Sequence, residues 1–302
     1  IYMQLHYRTM AEYMAEIFPG RVQKIAVNAS LGCPNRDGTI GTGGCIYCNN
    51  ASFNPAYANL SKESITKQLE KGVSFFSKKG TPFGYLPYFQ SYSNTYGDSE
   101  TLIELYEEAL SFPNVVGLVI ATRPDCLSDS LIEYFAERFG NRTQTKHPYL
   151  LVEIGVESTS DTTLRYINRG HTYECAVSAI NTLYNIGVSV GAHLILGLPG
   201  ESRDMMLNHA THISELPIST LKLHQLQIIK NTPLAKMYQD NKDVAHLFTP
   251  TEYAELVADF IRLLRKDIAL DRFVSETPPG LLLAPSWGIK PQQFSVMVNE
   301  LL

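Results

Sequence analysis

Three of the chain's five cysteines lie within sixteen residues, in the segment CPNRDGTIGTGGCIYC. Eleven residues separate Cys33 from Cys45, and two separate Cys45 from Cys48. An odd, bunched set of cysteines makes a poor disulfide framework but a good metal-binding pattern. Structural zinc needs four nitrogen or sulfur ligands, whereas an iron–sulfur cluster can keep one iron open for a ligand. Three thiolates without a fourth therefore favour a 4Fe–4S cluster, and a zinc-bearing interaction module is the alternative.

Six strand-like stretches, separated by helical patterns, must position this segment. They are KIAVNA (24–29), YLPYFQ (85–90), VVGLVIAT (115–122), YLLVEIGV (149–156), VSVGAHLILGL (188–198) and LKLHQLQII (221–229). Strands that alternate with helices predict a parallel sheet, and nearly continuous apolar strands predict burial on both faces. Because six strands are too few for a closed eight-stranded barrel, we expect an α/β fold of the partial (β/α)6 TIM barrel type. Its active site would lie at the carboxyl ends of the strands.

The chain divides into three parts by pattern. We predict an N-terminal helical segment over residues 1–23, a barrel core over residues 24–245 and a short C-terminal extension over residues 246–302 that packs on the core. Within the core, Ser128 is expected to begin a helix and Gly140 to end it.

Composition excludes several classes of protein. The 302 residues are 44% hydrophobic and 18% charged, which is typical of a globular protein with a large core. With a net charge of −5, any contact with nucleic acid must use a local basic patch. We find no apolar run of membrane-spanning length and no signal-peptide pattern, so we expect a cytoplasmic protein that makes no membrane contact.

Five segments, in order, resemble the radical SAM superfamily: CPNRDGTIGTGGCIYC, ATRPDC, INRGHT, HLILGLPGE and KLHQLQI. The eleven-then-two cysteine spacing departs from the superfamily's common three-then-two and is typical of the branch that includes the elongator catalytic subunit. Within that branch the chain resembles the predicted Fe–S oxidoreductase family. The resemblance implies that Cys33, Cys45 and Cys48 hold a 4Fe–4S cluster and that S-adenosylmethionine (SAM) binds its fourth iron. One electron would then cleave SAM, and the resulting 5′-deoxyadenosyl radical would take hydrogen from a substrate.

The resemblance also implies a set of residues that contact SAM. Tyr47, between two cysteines, would hold the adenine, with simple packing as the alternative. Gln90, Ser91 and Ser93 follow the second strand, where the superfamily binds the SAM amino group, although the usual Gly-Gly-Glu is absent. The turn formed by Gly197, Leu198 and Pro199 resembles the adenosyl-contacting turn of oxygen-independent coproporphyrinogen oxidase. We therefore expect SAM to lie between the cysteine loop and this turn, and a tight turn without a ligand is the alternative.

Other polar side chains are predicted to face SAM or the substrate. Glu153 lies in an apolar strand, where a carboxylate is costly to bury unless it is paired, so it contacts a ligand or forms a structural ion pair. Lys222 and His224 alternate along one strand and should point to the same side, which favours a polar or anionic substrate. The further candidates for catalysis or substrate binding are Arg123, Asp125, Glu157, Arg169 and His193. For the two histidines a hydrogen-bonded core position is the alternative, and Cys126 and Cys175 are interpreted as structural.

The predicted function is a radical SAM enzyme that modifies a nucleoside side chain in tRNA, at the wobble uridine. The same chemistry on a small metabolite is the alternative. Expected partners are tRNA and an electron donor such as flavodoxin or ferredoxin. Candidate RNA contacts include Arg265, Arg272, the stacking residue Tyr92 and Trp287. Because the sequence shows no acetyltransferase domain after the barrel, we expect a change to an existing side chain rather than acetyl-CoA-dependent addition.

Overall fold

Seven parallel strands form one curled sheet, as a partial TIM barrel requires. The computed structural model describes residues 5–49, 63–77, 80–140 and 148–302. The strands are β1 (Val22–Val27), β2 (Gly84–Phe89), β3 (Gly117–Thr122), β4 (Tyr149–Glu157), β5 (Ser189–Leu196), β6 (Thr220–Gln225), β7 (Ile228–Ile229), β8 (Ala269–Arg272) and β9 (Leu282–Ala284). The large sheet has the order β1-β2-β3-β4-β5-β6-β8, which confirms the predicted fold class.

Ten α-helices are found in the described part of the chain. They are α1 (Met10–Ile17), α2 (Ile65–Phe76), α3 (Ser99–Ser111), α4 (Asp129–Phe139), α5 (Asp161–Tyr166), α6 (Tyr173–Asn185), α7 (Arg203–Ser214), α8 (Pro233–Asp240), α9 (Pro250–Leu263) and α10 (Pro291–Leu301). Of these, α2, α3 and α6 pack directly against strands of the large sheet. The predicted boundaries of α4 are confirmed, because the Ser128 side chain accepts a hydrogen bond from the Leu131 N–H and Gly140 follows its last residue. In β4, seven consecutive residues are buried, as expected for a strand that is covered on both faces.

The C-terminal part contributes a seventh strand that the sequence pattern did not indicate. Strand β8 pairs in parallel with β6 and extends the barrel sheet beyond the six predicted strands. Its four residues, ALDR, are two apolar residues followed by two charged ones, and so short a stretch without alternation gives no strand signal. The predicted stretch 221–229 is also not one strand, since β7 leaves the barrel and pairs with β9 in a separate antiparallel pair.

The amino-terminal end of the barrel is filled by α1. Met10, Tyr13 and Met14 pack in one buried apolar cluster with Leu86 and Leu151, near the beginnings of β2 and β4. The segment before α1 continues past the edge of the sheet, where the Leu270 N–H donates to the Arg8 carbonyl oxygen over 2.8 Å. The opposite end of the barrel, at the carboxyl ends of the strands, holds the cleft described below. Among the described helices, none combines the length and apolarity needed to cross a membrane.

Candidate active site

A cleft opens at the carboxyl ends of the strands, where TIM-type barrels carry their active sites. Counted together with the open space at its mouth, the cleft measures about 860 Å³. The cleft is lined by Cys33, Arg36, Gly44, Cys45, Tyr47, Cys48, Tyr88, Gln90, Ser91, Tyr92, Ser93, Ala121, Thr122, Arg123, Glu153, Gly155, Glu157, Arg169, His193, His224 and Arg272. These residues come from the cysteine loop after β1 and from six of the barrel strands or the segments that follow them.

The three clustered cysteines line one wall of this cleft. None is in a disulfide, and Cys45 is only 5% exposed. A tight turn closes the loop, in which the Cys48 N–H donates to the Cys45 carbonyl oxygen over 3.0 Å. Gly44 has a φ of +77°, and a Cβ there would lie 2.8 Å from Nε of Arg36. A glycine at this position therefore lets the loop fold against the arginine.

Two buried groups donate hydrogen bonds to the sulfur of Cys45. Nη1 of Arg169 lies 3.6 Å from this sulfur, and Nδ2 of Asn35 lies 3.8 Å from it. The same guanidinium donates through Nη2 to the Gly155 carbonyl oxygen over 2.6 Å and pairs with Glu157 at 3.3 Å. Arg169 was predicted to act near the substrate, and the structure places it against the Cys45 sulfur. A buried cation and N–H donors at this sulfur stabilise negative charge on it.

A second arginine holds Arg169 in place. Nη2 of Arg123 donates to the Arg169 carbonyl oxygen over 2.8 Å and to Oδ2 of Asp125 over 2.6 Å. Burial of Asp125 opposes its ionisation, but the hydrogen bond and charge of Arg123 outweigh burial and hold its pKa below the usual value. Asp125 does not line the cleft but contacts Arg123, which does.

The donor set fits a 4Fe–4S cluster that is ligated by three cysteines. Three thiols share one wall, and Nη1 of Arg123 and Nε of Arg169 are buried and find no hydrogen-bond partner among the residues that the structure describes. In the described part of the chain, no three His, Cys, Asp or Glu side chains converge on a point that could hold one metal ion. The three thiols are therefore not arranged as ligands of a single zinc ion. Each of these guanidinium groups has a carboxylate partner, and its remaining N–H group is free to donate to a thiolate-ligated cluster, which would carry negative charge.

The segment after β2 forms the next wall and contacts the cysteine loop. Gln90, Ser91 and Ser93 line the cleft as predicted for a SAM-binding segment, and the Ser93 N–H donates to the Gly32 carbonyl oxygen over 3.3 Å. Ser91 and Tyr92 have φ values of +80° and +57°, a conformation that costs energy in residues with a side chain. Such backbone strain is concentrated at ligand sites, which agrees with the predicted role of this segment.

The floor of the cleft is a buried ionic network around Glu153. Its Oε2 accepts hydrogen bonds from the Tyr88 hydroxyl (2.7 Å), the His193 Nε2–H (2.9 Å) and the Lys222 ammonium (2.8 Å). Burial opposes ionisation of Glu153, but Lys222 and its other partners hold its pKa well below the usual value. Burial and Lys222 lower the pKa of His193, so its ring is neutral and serves as a donor. These contacts include an ion pair with Lys222, and Glu153 also lines the cleft, so both predicted roles are compatible with its position.

The network continues across the gap between the two edge strands of the barrel. Lys24 on β1 lies 2.8 Å from Oδ2 of Asp271 on β8 and 3.9 Å from Glu153. Lys222 reaches the same Asp271 oxygen at 3.3 Å. Two lysines and two carboxylates thus alternate beneath the cleft, and their formal charges cancel. Lys222 itself does not line the cleft but lies directly under the residues that do.

The predicted turn after β5 is placed elsewhere. Gly197, Leu198 and Pro199 are buried and do not line the cleft. A Cβ on Gly197 would meet the Phe248 ring at 3.0 Å, and Leu198 belongs to an apolar cluster against which Tyr47 packs. The turn therefore supports Tyr47 from behind. Tyr47 lines the cleft and packs on that cluster as well, so both predicted roles are compatible with its position.

Several other assignments from sequence have a structural explanation. Burial raises the pKa of Cys126 to about 12, so this thiol stays protonated, as a structural role requires. Arg265 donates to three carbonyl oxygens, those of Ser214, Leu216 and Ile218, and so holds a loop rather than RNA. Trp287 donates to the Phe248 carbonyl oxygen and packs inside the C-terminal part.

Sequence reasoning did not single out Asn35, Arg36 and Tyr88 as site residues. Asn35 and Arg36 belong to the segment between Cys33 and Cys45, so their position beside the cysteines was the available signal. Tyr88 lies in an apolar stretch, and only the register that pairs β2 with its neighbours turns it towards Glu153. Arg272 was considered for RNA contact, and the structure places it in the cleft wall.

Comparisons with known proteins agree with this site. The Radical SAM superfamily model matches residues 27–213, and the Radical SAM C-terminal domain model matches residues 218–302. The second match begins before β6, so the last two strands of the barrel sheet lie within it. Uncharacterized protein YtqA of Bacillus subtilis is 34% identical over 97% of this chain and 88% of its own length.

Two further matches are to longer proteins, of which this chain spans a smaller share. The tRNA uridine(34) acetyltransferase of Methanocaldococcus jannaschii is 29% identical over 61% of this chain, which spans 32% of that protein. A solved structure of archaeal Methanocaldococcus infernus Elp3 superposes with a TM-score of 0.66 at 18% identity, over 91% of this chain and 61% of that one. At that identity the superposition shows a shared fold.

Proposed function

Because the chain belongs to the radical SAM superfamily, we propose that it is the enzyme that alters a side chain on the wobble uridine of tRNA. Its cofactors are a 4Fe–4S cluster and SAM. When bound, the cluster supplies the electron that cleaves SAM, and the radical formed from SAM abstracts hydrogen from the substrate. The observation that carries the assignment of the cluster site is the wall of three cysteines with Arg169 against the Cys45 sulfur.

The protein's own residues are proposed to bind and orient the cofactors and to exclude water from the cleft. Cys33, Cys45 and Cys48 are the proposed ligands, and Arg169 and Asn35 hold the Cys45 sulfur by N–H donation. Gln90, Ser91 and Ser93, on the neighbouring wall, are the proposed contacts of SAM. Since α1 and the apolar residues beneath it fill the amino-terminal end of the barrel, a reactive species in the cleft is shielded from water on that side.

A nucleoside substrate is supported by the rim of the cleft. Tyr92 is 40% exposed there, and the Arg36 guanidinium carbon lies 5.8 Å from the centre of its ring. An accessible aromatic ring beside an arginine can stack on a base that has been turned out of an RNA loop. The name of the M. jannaschii relative, tRNA uridine(34) acetyltransferase, adds support for RNA and for the wobble position.

The remaining parts of the proposal follow from the chemistry. Reductive cleavage of SAM needs an electron donor, for which a flavodoxin or ferredoxin is the proposed partner. Unpaired cysteines fit a reducing compartment, so we place the protein in the cytoplasm. A small metabolite is the second candidate substrate, because a cleft at the carboxyl ends of barrel strands is also a common site for free small molecules.

The test is the nucleoside profile of tRNA from a strain that lacks the protein. That strain should accumulate an unprocessed wobble uridine derivative, and the wild-type gene should restore the mature nucleoside. Cys48→Ala should fail to restore it, whereas the matched control Cys175→Ala, on α6 outside the cleft, should succeed. An unchanged profile, together with no binding of tRNA by the purified holoprotein at low salt, would favour the small-metabolite enzyme.

A further inference from the structure

Arg272 is placed to bind a ligand rather than a protein carboxylate. It ends β8 and lines the cleft, and its Nη2 donates to Nε2 of His224 over 3.1 Å. Since Nε2 of His224 accepts this bond, the imidazole is neutral and carries its proton on Nδ1. Burial and the adjacent Arg272 lower the pKa of His224, which agrees with a neutral ring. The histidine thus orients the guanidinium without cancelling its charge.

Of the other cations at the cleft, Arg123, Arg169 and the two floor lysines have carboxylate partners, whereas Arg36 donates to a backbone carbonyl oxygen instead. Arg123 pairs with Asp125 at 2.6 Å, and Arg169 pairs with Glu157 at 3.3 Å. The two lysines of the floor share its two carboxylates, as described above. Arg36 lies against the cysteine loop, where Nη2 donates to the Cys48 carbonyl oxygen over 2.7 Å. Across the part of the chain that the structure describes, no carboxylate lies within ion-pair distance of Arg272.

We propose that Arg272, oriented by His224, binds a carboxylate of the substrate, so that the nucleoside side chain on which this enzyme acts carries an acidic group. The inference rests on the proposed function and specifies its substrate class. A guanidinium has five N–H donors, so the single bond to His224 leaves a pair free for bidentate contact with a carboxylate. The neutral floor beneath contributes no charge that would oppose an anion, and His193 and His224 stack at 5.8 Å beside the site.

SAM also carries a carboxylate, in its methionyl part, and is the second source of the same chemistry. In the radical SAM family that carboxylate binds the open iron, next to the three cysteines. Arg272 instead shares its wall with His224 and His193, on β6 and β5, while Gln90 and Ser91 stand on the wall that joins the cysteine loop. The substrate is therefore the source that we assign, and a SAM-binding measurement separates the two.

The experiment compares two free nucleosides of nearly equal shape, 5-carboxymethyluridine and its neutral amide 5-carbamoylmethyluridine. Affinities are measured by titration calorimetry on the reconstituted holoprotein with SAM present. Wild type should bind the carboxylate about tenfold more tightly than the amide, the discrimination expected from hydrogen bonds to a charged group. Arg272→Gln should lose this preference, and Arg272→Lys should keep part of it. The control Arg203→Gln, which alters an exposed pair on α7, should keep all of it.

Each result decides the proposal. Equal affinity of wild type for the two nucleosides, or no measurable binding of either, overturns it, as does a preference that survives in Arg272→Gln. If Arg272→Gln instead weakens SAM binding tenfold, the anion is the SAM carboxylate and the substrate assignment is wrong. The two modified uridines are then each placed in an anticodon stem-loop, and binding of the two stem-loops is compared. A preference among free nucleosides without binding of the stem-loop would keep the anion site and reject tRNA as the substrate.

Discussion

Replacing Lys222 with methionine tests whether the floor of the cleft is one coupled ionic network. The change removes an ammonium that lies 2.8 Å from Glu153 and 3.1 Å from the Tyr88 hydroxyl. The side chains of Lys222 and Glu153 are only 4% and 2% exposed, so solvent cannot replace the lost partner. Breaking a buried ion pair by removing one member costs about 3–5 kcal/mol. Because Lys24 remains 3.9 Å from Glu153, we expect a loss near the lower end, about 3 kcal/mol.

The measurement is anaerobic thermal unfolding of the holoprotein. At about 2 °C per kcal/mol for a chain of this size, Lys222→Met should lower Tm by about 6 °C. Glu153→Gln should also destabilise, since it leaves Lys222 buried with a weaker partner. The double variant should recover most of the loss, because Lys24 and Asp271 still balance each other at 2.8 Å. Lys236→Met, on the exposed face of α8, is the matched control and should change Tm by less than 1 °C, as surface substitutions usually do.

Coupling is the quantity that decides the outcome. In a double-mutant cycle, residues that form one buried network show an interaction energy of about 0.5–3 kcal/mol. The floor is not a coupled buried network if Lys222→Met destabilises no more than Lys236→Met, or if the effects of Lys222→Met and Glu153→Gln simply add. Either result would also contradict the conclusion that the charges of the floor neutralise one another.

Two further predictions concern the cluster and pH. Arg169→Gln should make the midpoint potential of the bound cluster more negative by roughly 60 mV, a tenfold change in a one-electron equilibrium, because a cation and an N–H donor near the Cys45 sulfur favour the reduced state. Potentiometric EPR measures this, and an unchanged potential would mean that the bond to sulfur is only structural. Burial is the main cause that lowers the pKa values of His193 and His224 in the folded protein. The stability that these neutral rings contribute is therefore complete above the unfolded-state pKa of about 6.5 and is lost as pH falls below it. Tm of wild type should therefore decline below about pH 6.5, and His224→Gln should flatten part of that decline; an identical decline in both would assign it to other groups.

The parts of the fold that could be predicted are those that local sequence patterns determine. Apolar runs with helical patterns between them identified the parallel barrel, and the bunching of three cysteines singled out a loop that lines the cleft. Strand β8 was missed because four residues, two of them charged, carry no periodic signal, and the strand exists only because the edge of β6 is available to it. Its place in the sheet depends on a tertiary contact with β6, which the local sequence pattern does not reveal.

The same distinction applies within the site. The sequence could single out Glu153 as a carboxylate in an apolar strand, but its partners Tyr88, His193 and Lys222 come from three other strands. Only the curl of the sheet brings their side chains together. The turn at Gly197 shows the opposite case, in which a glycine-rich motif suggested a ligand contact and the structure packs it against Phe248. A motif specifies a local conformation, whereas the face that it presents depends on what packs against it.

The composition of the barrel interior follows from what the cleft has to accommodate. Two buried ion pairs cost more in desolvation than apolar side chains of similar volume, so an apolar floor would be at least as stable. The chain instead places Lys24, Glu153, Lys222 and Asp271 there, with formal charges that cancel. A floor of this kind carries no net formal charge towards the cleft. The two cationic elements above it then act separately, Arg169 on the cysteine sulfur and Arg272 on an anion brought by the substrate. If the floor carried net charge of either sign, it would disturb both.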